Sequence, residues 1–142
     1  SYYKHHTKRL ADRRKYYENN KEKENKYRVK LAMKKYYTDP KQWIIMNLRS
    51  RLVRVLNMGT KKMRKSSHSL EIFGADISFI KQHLESKFTR GMNWENRGKW
   101  HIDHIKPLSS FNLENEEEQK KAFHYKNLQP LWATDNLKKG KR

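Results

Sequence analysis

Asp103 and His104 stand side by side in the run Trp100-His101-Ile102-Asp103-His104-Ile105-Lys106-Pro107, and two carboxamides follow, Asn127 in Asn127-Leu128-Gln129-Pro130-Leu131-Trp132 and Asn136 after Asp135. A carboxylate supplies a hard anionic oxygen suited to Mg²⁺, and an imidazole is the side chain that takes a proton from water near neutral pH. Each of these residue types matches one job in phosphodiester hydrolysis. The phosphodiester is shielded by its own negative charge, so hydrolysis requires an activated nucleophile, neutralised phosphate charge and a stabilised leaving oxygen. A divalent ion can do the last two jobs while His104 deprotonates the attacking water.

The rest of the chain must position those groups and hold a polyanion. Only 35% of its 142 residues are hydrophobic, so the core is small. The formal net charge is +19 and the isoelectric point near 10.1, a balance that draws nucleic acid. The charge is uneven: residues 1–67 hold 21 Lys/Arg against 5 Asp/Glu, and residues 68–142 hold 13 against 10. The basic half and the chemical half are different halves. The absence of cysteine excludes a disulfide framework, a Cys-ligated zinc knuckle and a thiol nucleophile. No apolar run approaches the roughly 20 residues that cross a bilayer, and the N-terminus lacks a secretory apolar segment. These features predict a soluble, intracellular protein with no membrane partner. A first residue of Ser rather than Met predicts a fragment or a trimmed chain.

Residues 1–40 form a tract rich in Lys, Arg, Glu, Asn and Tyr, with Tyr3, Leu10, Tyr17 and Leu31 on a loose seven-residue spacing. It predicts one long solvated helix, or an arm that becomes helical on its partner, broken near Pro40. Its cations, Lys8, Arg9, Arg13, Arg14 and Lys15 among them, suit the phosphates of double-stranded DNA. A solvated charged helix with no partner is the plain structural alternative. Residues 41–57 repeat Ile44, Leu48, Leu52, Val55 and Leu56 at three- and four-residue steps, with Arg49, Arg51 and Arg54 as basic flanks. That amphipathic helix could pack two subunits into a homodimer. Residues 58–68, with Lys61, Lys62, Arg64 and Lys65, read as a basic linker.

A compact domain is predicted over residues 69–142. Asp76 caps a helix bearing Ile77, Ile80, Leu84 and Phe88, ended by Gly91. A strand follows at Trp100–Ile105, then a long connection with a helix over Glu114–His124 and its acidic residues at the N-terminal end. Leu128–Trp132 makes a second strand in which Pro130 demands an edge or a bulge, and a last helix starts near Ala133. Trp94, Trp100 and Trp132 belong to the core.

Gly91–Ile105, with Gly-Met-x-Trp-x-Asn-x-Gly-x-Trp-His-Ile-Asp-His-Ile, and Asn127–Trp132 together resemble the HNH endonucleases of phage and intron type. The resemblance covers roughly residues 69–142. It implies an α+β fold in which a small C-terminal ββα-metal domain follows a basic, mostly helical N-terminal region. It implies further that Asp103 and Asn136 hold one divalent metal, Mg²⁺ or Mn²⁺, that His104 is the general base, and that Asn127 belongs to the catalytic set as organiser of the loop between strands. The step from Asn127 to Asn136 is similar to that in the HNH module of CRISPR nucleases. Asn136 replaces the last His of the family name, which keeps an oxygen ligand and opens the metal preference. Products with 3′-hydroxyl and 5′-phosphate ends and a phage- or virus-infected cell as setting belong to the same implication.

His101 and His124 could support the ligands or simply hold the fold by hydrogen bonds. Strand alternation puts His101 and Asp103 on one face and His104 on the other, so Asp103 and His104 share a site only if the strand ends or bulges there. The reading is a metal-dependent DNA endonuclease. Its competitors are a nucleic-acid-binding protein with an idle HNH scaffold and a non-specific nuclease of toxin type.

Overall fold

A computed structural model describes the backbone of residues 2–57 and 68–140 and the side chains of 3–55 and 71–140. The basic linker expected at 58–68, with Lys61, Lys62, Arg64 and Lys65, lies outside the fully described residues. The chain divides into two compact units, residues 1–38 and 39–142.

The first unit is one helix, α1, Tyr2–Thr38. No Gly or Pro interrupts it, and Lys, Arg, Glu and Ala favour the helical backbone. Ion pairs one turn apart tie Arg14 to Glu18 (3.2 Å) and Glu22 to Lys26 (2.9 Å). Both pairs are exposed, where such contacts contribute about 0.3–0.5 kcal/mol each. Tyr3, Leu10, Tyr17 and Leu31 are all exposed, so the seven-residue stripe is not buried within the chain.

The second unit begins with α2, Pro40–Asn57. Pro40 takes the first helical position, where its missing N–H is no loss, and Asp39 Oδ1 accepts the Lys41 N–H at 2.9 Å. Trp43, Ile44, Leu48 and Leu52 on this helix are buried, and α2 packs against α4, Ile77–Ser86. The sequence placed the domain boundary near Ser69; the packing places it at Asp39, because the apolar stripe of α2 completes the core. That stripe is therefore not a free dimer face. Asp76 caps α4 as expected, accepting the Phe79 N–H at 2.8 Å, although the helix stops at Ser86 and leaves Gly91, at φ +89°, to a later turn. A short helix α3, His68–Phe73, packs on α5, Glu116–Phe123.

Trp100 is fully buried and forms the centre of an aromatic cluster, with ring centroids 5.1 Å from Trp43, 5.1 Å from Phe88 and 5.4 Å from Trp94. Edge-to-face packing of this kind adds about 0.5–1.5 kcal/mol per pair beyond area burial. Its indole N–H donates to Asn93 O at 2.9 Å. Trp94 and Trp132 are only half-buried.

From Trp100 runs β1, Trp100–His104, paired antiparallel with β2, Leu128–Trp132, in an unbroken register that sets Asp103 opposite Gln129 and His104 opposite Leu128. Pro130 sits in that register without a bulge, opposite Ile102; a two-stranded sheet leaves each strand an open edge. Asn115 caps α5 by accepting the N–H groups of Glu117 (2.9 Å) and Glu118 (3.2 Å). The chain leaves β2 directly into α6, Ala133–Lys139, which packs on both strands and ends at Gly140 with φ +57°. The fold class is α+β, helix-rich with one small antiparallel sheet among the described residues.

Candidate functional site

The candidate groups gather where β1 ends. Ile105 N–H donates to Asn127 O at 2.8 Å, one step past the last strand pair. The Asn127 side chain then closes the neck of the connection: Oδ1 accepts the Lys106 N–H at 2.8 Å, and Nδ2 donates to Lys106 O (3.1 Å) and Ala122 O (2.9 Å). A carboxamide offers both donor and acceptor capacity, which is why Asn serves this double bridge. Asn127 thus acts through backbone and touches neither Asp103 nor His104 by hydrogen bond.

Because the register is unbroken, alternation along β1 holds to its last residue. Trp100, Ile102 and His104 face the core, and His101 and Asp103 face the other way. The structure therefore brings Asp103, His101, Asn136 and Lys139 together, with the His104 ring on the opposite face. Asp103 is 9% exposed. Its Oδ2 accepts from Gln129 Nε2 at 2.9 Å, the cross-strand partner, and from Lys139 Nζ at 2.6 Å. Lys139 Nζ also donates to His104 O (2.6 Å) and Ile105 O (3.3 Å). Asn136, one turn earlier on α6, shares a hydrogen bond of 3.0 Å between its Nδ2 and His101 Nδ1, which leaves its carboxamide oxygen outside that bond.

The His104 ring is 6% exposed and meets Phe123 edge-on at 5.2 Å. Its Nε2 is buried without a hydrogen-bond partner. Burial, and next the positive charge of Arg51, push its pKa down to about 4 against the opposing pull of Asp103, so the ring is neutral at pH 7. Arg51, on α2, donates from Nη1 to Ile102 O. Burial lowers its pKa, with Asp103 opposing. The sequence grouped Arg51 with the DNA-binding cations; its guanidinium instead braces β1 beside the site. Of its neighbours, Arg54 is exposed and Arg49 half-buried, while Lys8, Arg9, Arg13, Arg14 and Lys15 are exposed on α1.

His124 does not support the candidate ligands. Its Nδ1 accepts the Lys126 N–H at 3.2 Å, and its ring lies against Gly74, where an added Cβ would come within 2.3 Å of Nε2. Gly74, at φ +74°, is needed both for that backbone conformation and for that close approach. Burial lowers the His124 pKa. An open cleft of about 450 Å³ lies beside it, lined by Lys106, Phe111, Lys120, Lys121 and Lys126 with Glu117 and Asn127.

Gln129 and Lys139 escaped the sequence reading. Lys139 stands three residues after Asn136, a spacing that shares a helix face, and this signal was available. The place of Gln129 depends on strand register, which the motif does not spell out.

Among the described residues, no group of three or more His, Cys, Asp or Glu gathers as a metal cage. The donor set on the Asp103 face is a carboxylate and a carboxamide oxygen, lean and all-oxygen, which fits Mg²⁺ better than zinc. Asp103 Oδ2 and two carbonyl oxygens already surround one cation, the Lys139 ammonium, so the place accepts positive charge.

The chain is similar to two uncharacterised proteins of Acanthamoeba polyphaga mimivirus. One is 41% identical over 103 residues, covering 72% of this chain and 44% of the relative. The other is 34% identical over 119 residues, covering 83% of this chain and 50% of the relative. The chain thus spans about half the length of the curated relatives it matches. No family model and no solved structure matches it. Among the described residues no helix is long and apolar enough to cross a membrane.

Proposed function

We propose that residues 39–142 are a metal-dependent DNA endonuclease module of the ββα-metal, HNH type, and that α1 is its basic arm on double-stranded DNA. The observation that carries this reading is the joining of three separated sequence segments at one strand pair: Asn127 ties the end of β1 to the connection before β2, and α6 brings Asn136 to His101 and Lys139 to Asp103. Asp103 and Asn136 would hold Mg²⁺ or Mn²⁺. When bound, such an ion neutralises charge on the phosphate and on the departing oxygen.

The chain's own groups do the rest. Arg51 and Lys139 set two positive charges against the one carboxylate of Asp103, so the end of β1 attracts a phosphate. The lysines of the neighbouring cleft extend that positive surface. His104 is neutral at pH 7 and its Nε2 has no partner, the state a base needs before it accepts a proton. With the ring against Phe123, water does not reach Nε2. Catalysis by His104 therefore requires the ring to turn out at the strand end, where β1 pairing stops.

The buried Nε2 and the Asp103–Lys139 ion pair favour one alternative, a nucleic-acid-binding protein on an idle scaffold. A supercoiled-plasmid nicking assay separates the two. Mg²⁺-dependent nicking that falls about a hundred- to ten-thousand-fold in His104→Ala, with DNA binding retained, is the expected result. Binding without nicking at any Mg²⁺ or Mn²⁺ concentration would establish the idle scaffold.

A further inference from the structure

The Lys139 ammonium occupies the carboxylate to which the proposed chemistry assigns a metal. Lys139 Nζ lies among three oxygens, Asp103 Oδ2 at 2.6 Å, His104 O at 2.6 Å and Ile105 O at 3.3 Å, and both members of the ion pair are largely shielded, with side-chain exposures of 25% and 11%. Lys139 sits in the last turn of α6, where the helix dipole favours a cation, and Gly140 ends the helix immediately after it. Asn136, one turn earlier on the same helix, shares its face.

We propose that Lys139 is a built-in competitor for the metal site, so that its ammonium must leave Asp103 before a divalent ion can bind there. The inference rests on the metal-dependent reading above. An ammonium and a divalent ion repel in proportion to the product of their charges, so one carboxylate oxygen in a shielded pocket does not serve both. The closed state lowers the apparent metal affinity by the fraction of molecules in which Asp103 is free. Lys139 thereby sets the metal concentration at which the site fills. The displacement is possible because the lysine stem is flexible and a quarter of the side chain is exposed.

The test is Mn²⁺ binding to the full chain without DNA, read from loss of the free-ion electron paramagnetic resonance signal. Lys139→Met should bind Mn²⁺ about tenfold or more tightly than the natural chain, and Lys139→Gln should follow it. Lys139→Arg, which keeps the charge, should gain nothing, and Lys138→Met, at an exposed neighbour, should leave the affinity unchanged. A measurement on the unsubstituted chain guards against misfolding: the ¹³C signal of reductively methylated Lys139 should move as Mg²⁺ is titrated in. Equal Mn²⁺ affinity in the natural chain and folded Lys139→Met, or a Lys139 signal that stays fixed while metal binds, overturns the competitor and leaves the metal-dependent nuclease standing. Failure of every one of these proteins to bind Mn²⁺ or Mg²⁺ overturns both.

Discussion

Helix α1 and the unit over residues 39–142 are built on opposite principles. In α1 even Tyr3 and Tyr27 are more than half exposed, and its ordering rests on helix propensity and exposed ion pairs. In the second unit Trp100, Ile44, Leu48, Leu52, Ile80 and Leu84 are sealed, and the candidate site hangs on strand register and side-chain bridges. The contrast teaches that the excess charge and the candidate site lie in different regions of this chain. A solvated cationic helix can hold a polyanion without precise geometry, whereas a carboxylate proposed to receive a metal needs a packed frame.

The largest expected effect comes from cutting the two regions apart. Residues 1–38 carry 13 Lys/Arg against 4 Asp/Glu. If six of those cations contact phosphate, their removal lowers the slope of log affinity against log salt by about five and weakens binding on the order of a thousandfold at low salt. Deleting residues 1–38 should therefore weaken and flatten the salt dependence of DNA binding while the melting of the remaining unit stays put. Filter binding or fluorescence anisotropy from 50 to 300 mM salt reads the slope, and an unchanged slope would return α1 to a solvated helix with no partner.

Next in size is the core. Leu48→Ala on α2 should destabilise residues 39–142 by about 2–5 kcal/mol, the range for a buried leucine cut to alanine. Urea denaturation checks it. A loss under about 0.5 kcal/mol would mean that α2 is an appendage to a domain that starts near Ser69. That pattern disclosed an apolar stripe but not its partner, since a stripe can face a core or a second subunit equally well. The strands and α6 were more legible: motif residues flank them, and β2 and the start of α6 fall where Leu128–Trp132 and Ala133 placed them. Parity along β1 was legible as well, as a question, and the unbroken register answers it by setting His104 inward. Lys139 and Gln129 were hidden because their meaning lies in what they touch across β2 and α6, which no spacing along the chain states.

The buried imidazole adds a pH signature to the packed unit alone. His104 is held at about 4 in the fold against 6.5 unfolded, chiefly by burial and then by Arg51. The unfolded chain takes up the proton first, so this contribution is fully present above about pH 6.5 and disappears as pH falls towards 4, a change of up to roughly 3 kcal/mol. His124, lowered by burial, acts in the same direction. Melting curves from pH 8 to 4 should show the decline, and His104→Asn should flatten it. Equal slopes in both proteins would mean that burial does not hold His104 neutral.

The smallest effect is expected in α1. Leu10 is 52% exposed and Leu31 43%, and alanine is at least as good a helix former as leucine, so Leu10→Ala with Leu31→Ala removes little buried surface and leaves the backbone preference intact. Helical circular dichroism should hold, and the melting of residues 39–142 should shift by less than about 0.5 kcal/mol, as for surface positions generally. The same pair of substitutions probes the seven-residue stripe of Tyr3, Leu10, Tyr17 and Leu31. If that stripe were the seam of a coiled coil between two copies, both leucines would lie buried in the dimer and their loss would make helicity and sedimentation depend on protein concentration. Unchanged sedimentation across a hundredfold dilution, in both the natural and the doubly substituted chain, is the outcome that fits a solvated arm. A dimer that the substitutions dissociate would show instead that α1 is ordered by a second copy, and the contrast between a packed unit and an unpacked arm would fail.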